Sequence, residues 1–245
     1  MRLNILGSGS SGNSYIFQND STALLIECGC SITKVKKALD FNIMKVAGAI
    51  VSHSHGDHAG KVNDVLKAGI NVYVSEETNK EIKYTGHRLC LLLEEKKSTM
   101  IGDFKVMPFY VKHDVACFGF LIHHPECGKV LFITDTYYIP YNFTGLNQVL
   151  IEANYDINIL NENVTSGRVN SFVRDRVVRS HMSIETAKHA LKASDLSQVN
   201  NIVLIHLSDS NSNAVKFKKE VEESVGKSVH IADKEMVIDF NIGAF

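Results

Sequence analysis

Apolar runs of four to eight residues, separated by polar punctuation, dominate the chain, and most are too short for anything but a strand. The opening reads as strand, loop, strand, turn, strand: residues 3–6, a Gly/Ser loop over 7–13, residues 14–17, a turn at Asn19-Asp20, and residues 22–26. Helical spacing first appears over 31–39, where Ser31 can cap and Ile32, Val35 and Leu39 fall on one face. A buried strand over 48–52 follows, then helical spacing over 59–67, a strand over 71–74 and a polar helix over 76–83. Strands over 89–93, 104–111, 118–123, 130–134 and 149–151 fill the middle. The stretch from 152 to 179 is polar and yields no element; beyond it the pattern predicts a helix over 183–192, a strand over 202–206, a helix over 214–225 and strands near Val229 and Val237. Two strand-led halves without repeat or Pro-rich linker predict an α/β class fold, two mixed sheets packed face to face with helices outside, as a single domain spanning 1–245.

Composition narrows the class. The chain has 245 residues, 44% hydrophobic and 22% charged, with three Pro and 16 Gly, which fits a globular protein and excludes collagen-like, disordered and coiled-coil chains. With 26 basic and 27 acidic residues the net charge is −1, so no global field grips a long nucleic acid. No apolar run approaches membrane-spanning length, and the apolar start is too short for a signal peptide, so a cytoplasmic protein without a membrane partner is expected. Five scattered cysteines without a C-x-x-C pair predict reduced, buried thiols. The eleven histidines are the anomaly.

Four of the candidate metal ligands share one motif, His53-Ser54-His55-Gly56-Asp57-His58. Residues two apart on an extended segment point the same way, so His53 and His55 can offer two imidazoles to one ion. Gly56 lets the chain turn, and Asp57 and His58 at the start of the next helix can then reach a second ion, the arrangement of a two-metal hydrolase. A polar loop with surface histidines is the bland alternative, and the specificity of the motif outweighs it. The motif resembles that of the metallo-β-lactamase superfamily, and the resemblance extends over the whole chain. It implies an αββα sandwich with two divalent ions per chain at the sheet edge, zinc by preference and manganese as the alternative. Carried over, His53, His55 and His113 would hold the first ion, Asp57, His58 and His206 the second, and Asp135 would bridge them. His113, Asp135 and His206 each close or follow an apolar run, as ligands at a sheet edge should. The loop Gly7-Ser8-Gly9-Ser10-Ser11-Gly12-Asn13-Ser14 is similar to the opening of the bacterial YycJ (WalJ) group. It lacks the G-K-[ST] ending of a phosphate loop and precedes a strand, so it reads as a tight turn beneath the metals.

Three surrounding features bear on the reaction. His181, just before a helix capped by Ser183, resembles the helix-start histidine of tRNase Z and related phosphodiesterases, and Glu152 resembles the acid that partners it there. A carboxylate against an imidazole fixes its tautomer and raises its pKa, which suits His181 to protonate a departing alkoxide. Arg168, Arg174, Arg176 and Arg179 lie within twelve residues and can recognise phosphate; a solvated basic face is the bland reading. Tyr137, in an aromatic run with Tyr138, Tyr141 and Phe143, can stack a base, against the bland reading of packing on the sheet. Together these favour phosphoester over β-lactam or thioester hydrolysis, with Asp57, His181 and Glu152 as the catalytic set. The segment between Asp135 and Glu152 has no lysine or arginine and no length for a tRNA-gripping arm. The texture around Glu27, Thr136-Tyr137-Tyr138 and Asn154-Tyr155-Asp156 resembles phage anti-Pycsar enzymes, which implies opening of 3′,5′-cyclic nucleotides to counter cyclic-nucleotide immune signalling, and the likeness to related phosphodiesterases implies a homodimer. A small nucleotide is therefore the expected substrate. DNA exonuclease action, with nucleic acid as substrate, is the alternative, and a metal-stabilised interaction module without turnover stands behind both.

Overall fold

The computed structural model describes residues 1–243. The chain opens with an antiparallel meander, β1 (Arg2–Gly7), β2 (Ser14–Gln18) and β3 (Ala23–Ile26), and passes through α1 (Ile32–Ala38) and a 3-10 turn to β4 (Val46–Ile50). Next come α2 (Gly56–Ala59), α3 (Val62–Lys67), β5 (Val72–Val74), α4 (Glu76–Glu81) and β6 (Leu91–Leu92). A second run of strands follows as β7 (Thr99–Ile101), β8 (Phe104–Val111), β9 (Cys117–His124), β10 (Gly128–Ile133) and β11 (Gln148–Glu152). The remainder is α5 (Ile157–Thr165), α6 (Ser171–Ser180), α7 (Ile184–Ala193), β12 (Asn201–Ile205), α8 (Ala214–Val225), β13 (Val229–Ile231) and β14 (Val237–Asp239). Two seven-stranded mixed sheets result, ordered β14-β1-β2-β3-β4-β5-β6 and β13-β12-β11-β10-β9-β8-β7.

Both faces of the central strands are buried, which is why they read as nearly unbroken apolar runs. In β3, Leu24 and Ile26 point between the sheets while Ala23 and Leu25 point to the layer holding Val35 of α1 and Val65 of α3. In β12, Val203 and Ile205 face the inter-sheet core while Ile202 and Leu204 meet Leu191 of α7 and Phe217 of α8. Helices thus cover the outer face of each sheet, an αββα sandwich. Phe132, Phe120 and Tyr15 fill its centre, with Phe132 ring centroids 5.5 Å from Tyr15 and 6.4 Å from Phe120.

The structure departs from the sequence reading in four places. The single helix expected over 59–67 is broken at Gly60-Lys61, because Lys61 donates its N–H to Cys28 O (2.8 Å) and Cys28 donates to His58 O (2.7 Å), tying this bend to the end of β3. The polar stretch over 152–179, to which the sequence assigned no element, contains α5 and α6. Asp156 and Asn170 cap them, each accepting from the amide two residues on at 2.8 Å. α6 buries only Ser180, so no apolar stripe marks it in the sequence. β7 is an additional edge strand with Met100 exposed, too short to register as a run. The expected strand over 89–93 is only the exposed pair Leu91–Leu92.

The strand directions position the site. β10, β11 and β12 are mutually parallel, and β8 runs the same way because both β8 and β10 are antiparallel to β9. Their carboxyl ends therefore share one edge of the sandwich, where His113, Asp135, Glu152 and His206 emerge.

Candidate metal and catalytic site

At that edge the loop after β4 brings the motif histidines in from the other sheet. Ligand atoms of His53, His55 and His113 lie within 4.8 Å of one another, as do those of Asp57, His58 and His206. Asp135 stands between the sets: it groups with His53 and His58 in one cluster and with Glu152, His181 and His206 in another. Its Oδ2 is 3.1 Å from His58 Nε2 and its Oδ1 is 3.3 Å from His181 Nδ1.

The nitrogens have two kinds of surroundings, which tests whether these residues suit metal ions. In three rings one nitrogen is held from outside: His53 Nδ1 by Ser52 Oγ (2.9 Å), His113 Nδ1 by the Ser180 carbonyl (2.8 Å), and His206 Nδ1 by Glu152 Oε1 (3.1 Å). His58 Nδ1 faces Glu27 Oε1 at 3.4 Å without a hydrogen bond, and His55 Nε2 lies 3.5 Å from Asp114 Oδ1. The other nitrogen of each ring turns inward. His53 Nε2 is buried with no hydrogen-bond partner, His55 Nδ1 and His113 Nε2 converge at 3.3 Å, and His206 Nε2 is 3.3 Å from Asp57 Oδ2. A buried imidazole nitrogen without a partner is costly in a metal-free protein and is accounted for by an ion. The donor set fits two divalent cations.

Electrostatics point the same way. Burial pushes the His206 imidazole down, but Asp135 and hydrogen bonds to Asp57 and Glu152 outweigh this and raise its pKa to about 10. His58 is likewise raised, with burial opposed by Asp135 and Glu27. Burial raises Asp57, but hydrogen bonds to His206 and His58 bring it below the usual carboxylate range. His53, surrounded by other histidines as well as buried, is held neutral. Without metal, protons on His58 and His206 offset the carboxylates; divalent cations would take over that role.

Three of the seven described non-glycine residues with left-handed φ lie at the same edge. Glu27, Asp135 and His206 have φ of 64°, 50° and 56°, left-handed values that cost non-glycine residues on the order of 1–3 kcal/mol each. Each of these residues leaves a strand end and turns its side chain into the cluster. Below them the Gly/Ser loop supports both sheets: Ser8 Oγ accepts from His206 N (2.9 Å), and Asn13 Nδ2 donates to Asp57 Oδ2 (3.1 Å) and approaches His58 Nε2 (3.0 Å). Asn13 N also donates to the Asp57 carbonyl at 2.7 Å.

His181 lies beside the clusters at the C-cap of α6. Its Nδ1 is 2.7 Å from Glu152 Oε1, and its ring stacks on His206 with centroids 5.4 Å apart. Glu152 is fully buried, and its Oε2 accepts from the amides of Thr136 (3.0 Å) and Met182 (3.1 Å). Burial disfavours a charged His181, but Glu152 overcomes this and raises its pKa above the ordinary imidazole value.

The arginine segment is only partly at the site. Arg176 Nε is 3.9 Å from Asp114 Oδ2, and Asp114 Oδ1 is 2.9 Å from His113 Nε2. Arg168 donates to Asn163, and Arg174 to Asn161 and Asp175; Arg179 is exposed. Of the aromatic run, Tyr141 and Phe143 pack on Phe109, while Tyr137 and Tyr138 are exposed. Four supporting residues were not singled out as site residues in the sequence: Ser8, Asn13, Glu27 and Asp114. A lone acid closing the apolar run of β3 was the legible signal for Glu27, and adjacency to His113 the signal for Asp114. All five cysteines are unpaired and buried, and no helix among the described residues is long and apolar enough to cross a membrane.

Exodeoxyribonuclease WalJ of Streptococcus pneumoniae (strain D39) is 26% identical to this chain, over 98% of the chain and 93% of the relative. The anti-Pycsar protein Apyc1 of Bacillus phage 010DV004 is 32% identical over 26% of the chain and 28% of its own length. The crystal structure of the metallo-beta-lactamase fold protein YhfI from Bacillus subtilis superposes with a TM-score of 0.72 at 19% identity, covering 97% of this chain and 99% of that one. The metallo-beta-lactamase superfamily profile matches residues 7–138, more than half of the sequence, which includes the motif histidines, His113 and Asp135. With that match, the sandwich and the clustered donors in view, the chain belongs to the metallo-beta-lactamase superfamily and is a metal-dependent hydrolase.

Proposed function

We propose that the protein is a dinuclear-metal phosphodiesterase that removes nucleotides from the end of a DNA strand. The observation that carries phosphodiester chemistry is His181 Nδ1 at 2.7 Å from the buried Glu152 carboxylate, beside Asp135. An imidazole held in this way keeps a proton on Nε2 near neutral pH and can give it to a departing ribose or deoxyribose oxygen, a leaving group too basic to depart unaided. His53, His55 and His113 would hold one ion, Asp57, His58 and His206 the other, and Asp135 both. When bound, the ions supply an activated water and neutralise phosphate charge. Zinc suits the five imidazoles; manganese is compatible with the two carboxylates. Asp57, anchored by Asn13, orients the attacking water by accepting its hydrogen bond. Arg176, next to Asp114 at the rim, is the arginine of its segment best placed to meet a phosphate, and exposed Tyr137 can stack a terminal base.

DNA is favoured as substrate because the exodeoxyribonuclease relative matches nearly the whole chain. A second reading, opening of 3′,5′-cyclic nucleotides, rests on the shorter match to the anti-Pycsar protein and on the absence of a basic arm between Asp135 and Glu152. In either case we place the enzyme in the cytoplasm, as a homodimer of single-domain chains. One chromatographic assay separates the substrates: metal-loaded protein incubated with single-stranded and duplex DNA beside cyclic CMP, UMP, AMP and GMP. Mononucleotides released from DNA with the cyclic nucleotides intact is the expected result. Ring opening with intact DNA would transfer the proposal to the second reading.

A further inference from the structure

Beyond His206 the sandwich edge continues as an open crevice. Ser8, whose hydroxyl accepts from the His206 amide, and Leu207, the next residue in the chain, form its near wall. The crevice has a volume of about 750 Å3 and is walled by the Gly/Ser loop, the segment before α8 and the β13–β14 connection. Ser10, Ser11 and Ser208 offer hydroxyl donors, and Lys218 and Lys234 offer ammonium groups. A second cavity of about 290 Å3 shares Lys234 and Met236 with the first and adds Lys34 and Lys37, one turn apart on α1, above a floor of Asn4, Ile5 and Leu6.

Among the described residues some surface lysines pair with carboxylates and others do not, and three of the unpaired ones line these two cavities. Lys80, Lys188 and Lys216 are each within 2.7 Å of a carboxylate, and Lys218 approaches Glu222 at 3.9 Å. Lys34, Lys37 and Lys234 have no carboxylate within 4.0 Å among the described residues. Asp209, Asp233 and Glu235 also line the two cavities, so selectivity comes from where the cations stand rather than from a uniform field. A groove rich in ammonium and hydroxyl donors that starts one residue from a candidate metal ligand suits a chain of phosphates. Its volume is in the range of small-ligand pockets.

We infer that this crevice is the track of a single DNA strand: the nucleotides next to the scissile phosphate lie along Ser8–Ser11 and Ser208, and the phosphates beyond them meet Lys234, Lys34 and Lys37. The inference deepens the DNA-exonuclease reading and rests on it. It also explains how a chain of net charge −1 holds a polymer without an added arm or domain: the phosphate-binding groups are few, local and directed to one strand.

The test compares wild type with the triple variant K34E/K37E/K234E on a long single strand and on a dinucleotide. The substitutions lie on exposed positions, and a K34Q/K37Q/K234Q variant repeats the test without reversing charge. The variants are expected to raise KM for the long strand by about tenfold or more, and to lower the slope of log KM against log salt by about two, near 0.7 for each lysine–phosphate pair removed. The dinucleotide, too short to reach these lysines, should change less than about twofold. If wild type degrades DNA and the variants keep both the long-strand KM and its salt slope, the crevice is not the track, and the exonuclease reading stands. If wild type releases nothing from DNA, both fall.

Discussion

Glu27 and His181 show how single side chains adapt the shared core to one chemistry. Replacing His181 by Ala removes the proton donor but none of the ion-holding atoms, so metal content should stay near two per chain while cleavage of natural phosphodiesters slows by about 10²–10⁴. The loss on bis(p-nitrophenyl) phosphate should be smaller, because nitrophenolate leaves without a proton; equal losses on both esters would contradict the general-acid role. Glu27 acts through another residue. Its carboxylate lies 3.4 Å from His58 Nδ1 and accepts from Ser52 N at 3.3 Å, so Glu27→Gln should weaken binding of one of the two ions by about 10–100-fold. Titration calorimetry that shows two unchanged binding events would argue against this. His53, His55, Asp57 and His58 were legible in the sequence because they are close together in a motif with a geometric meaning. Glu27 and Asp114 were not assigned because neither pairing is visible in a linear pattern: Glu27 meets His58 across two strands, and Asp114 meets His55 across the two sheets.

Among the elements, the Gly/Ser loop and the bend at Gly60 are where local backbone geometry controls the site. A Cβ on Gly29 would lie 1.8 Å from the Asp57 carbonyl and 2.6 Å from Asn13 N, both backbone atoms that cannot rotate away. Gly29→Ala should therefore displace the segment carrying Asp57 and His58. The expected result is loss of metal, seen by elemental analysis, with a drop in stability of about 1–3 kcal/mol. Retention of two ions and an unchanged melting temperature would show that the close packing at Gly29 does not hold Asp57 and His58 in place. The sequence made the sheets legible because strands buried on both faces leave unbroken apolar runs. α5 and α6 escaped for the opposite reason: their polar faces hide the helical period, and their start signals, Asp156 and Asn170, are ordinary loop residues unless the amides they cap are known. The arginine segment consequently looked like one basic patch. On a helix its members face different ways, and only Arg176 is near Asp114.

For the whole molecule, two mixed sheets bring three left-handed residues, buried charges and orphaned imidazole nitrogens to one edge. Such a site binds ions in competition with protons. His206, with a pKa raised to about 10, and the raised His58 are protonated in the empty site at neutral pH. A cation must displace those protons, so apparent metal affinity should rise with pH, by about tenfold per pH unit for each proton released, until the pH passes that of His206. Calorimetry in buffers of different ionisation enthalpy should detect one to two protons released per chain; an affinity that is flat between about pH 6 and pH 8 would contradict the charge balance described for the empty cluster. The most direct test of the central claim is mononucleotide release from single-stranded DNA while chelator-stripped protein is titrated with zinc or manganese. The rate should be zero without metal, rise with loading and level off at about two equivalents per chain. Nucleotide release by the stripped protein, or none at any loading with either ion, would contradict it.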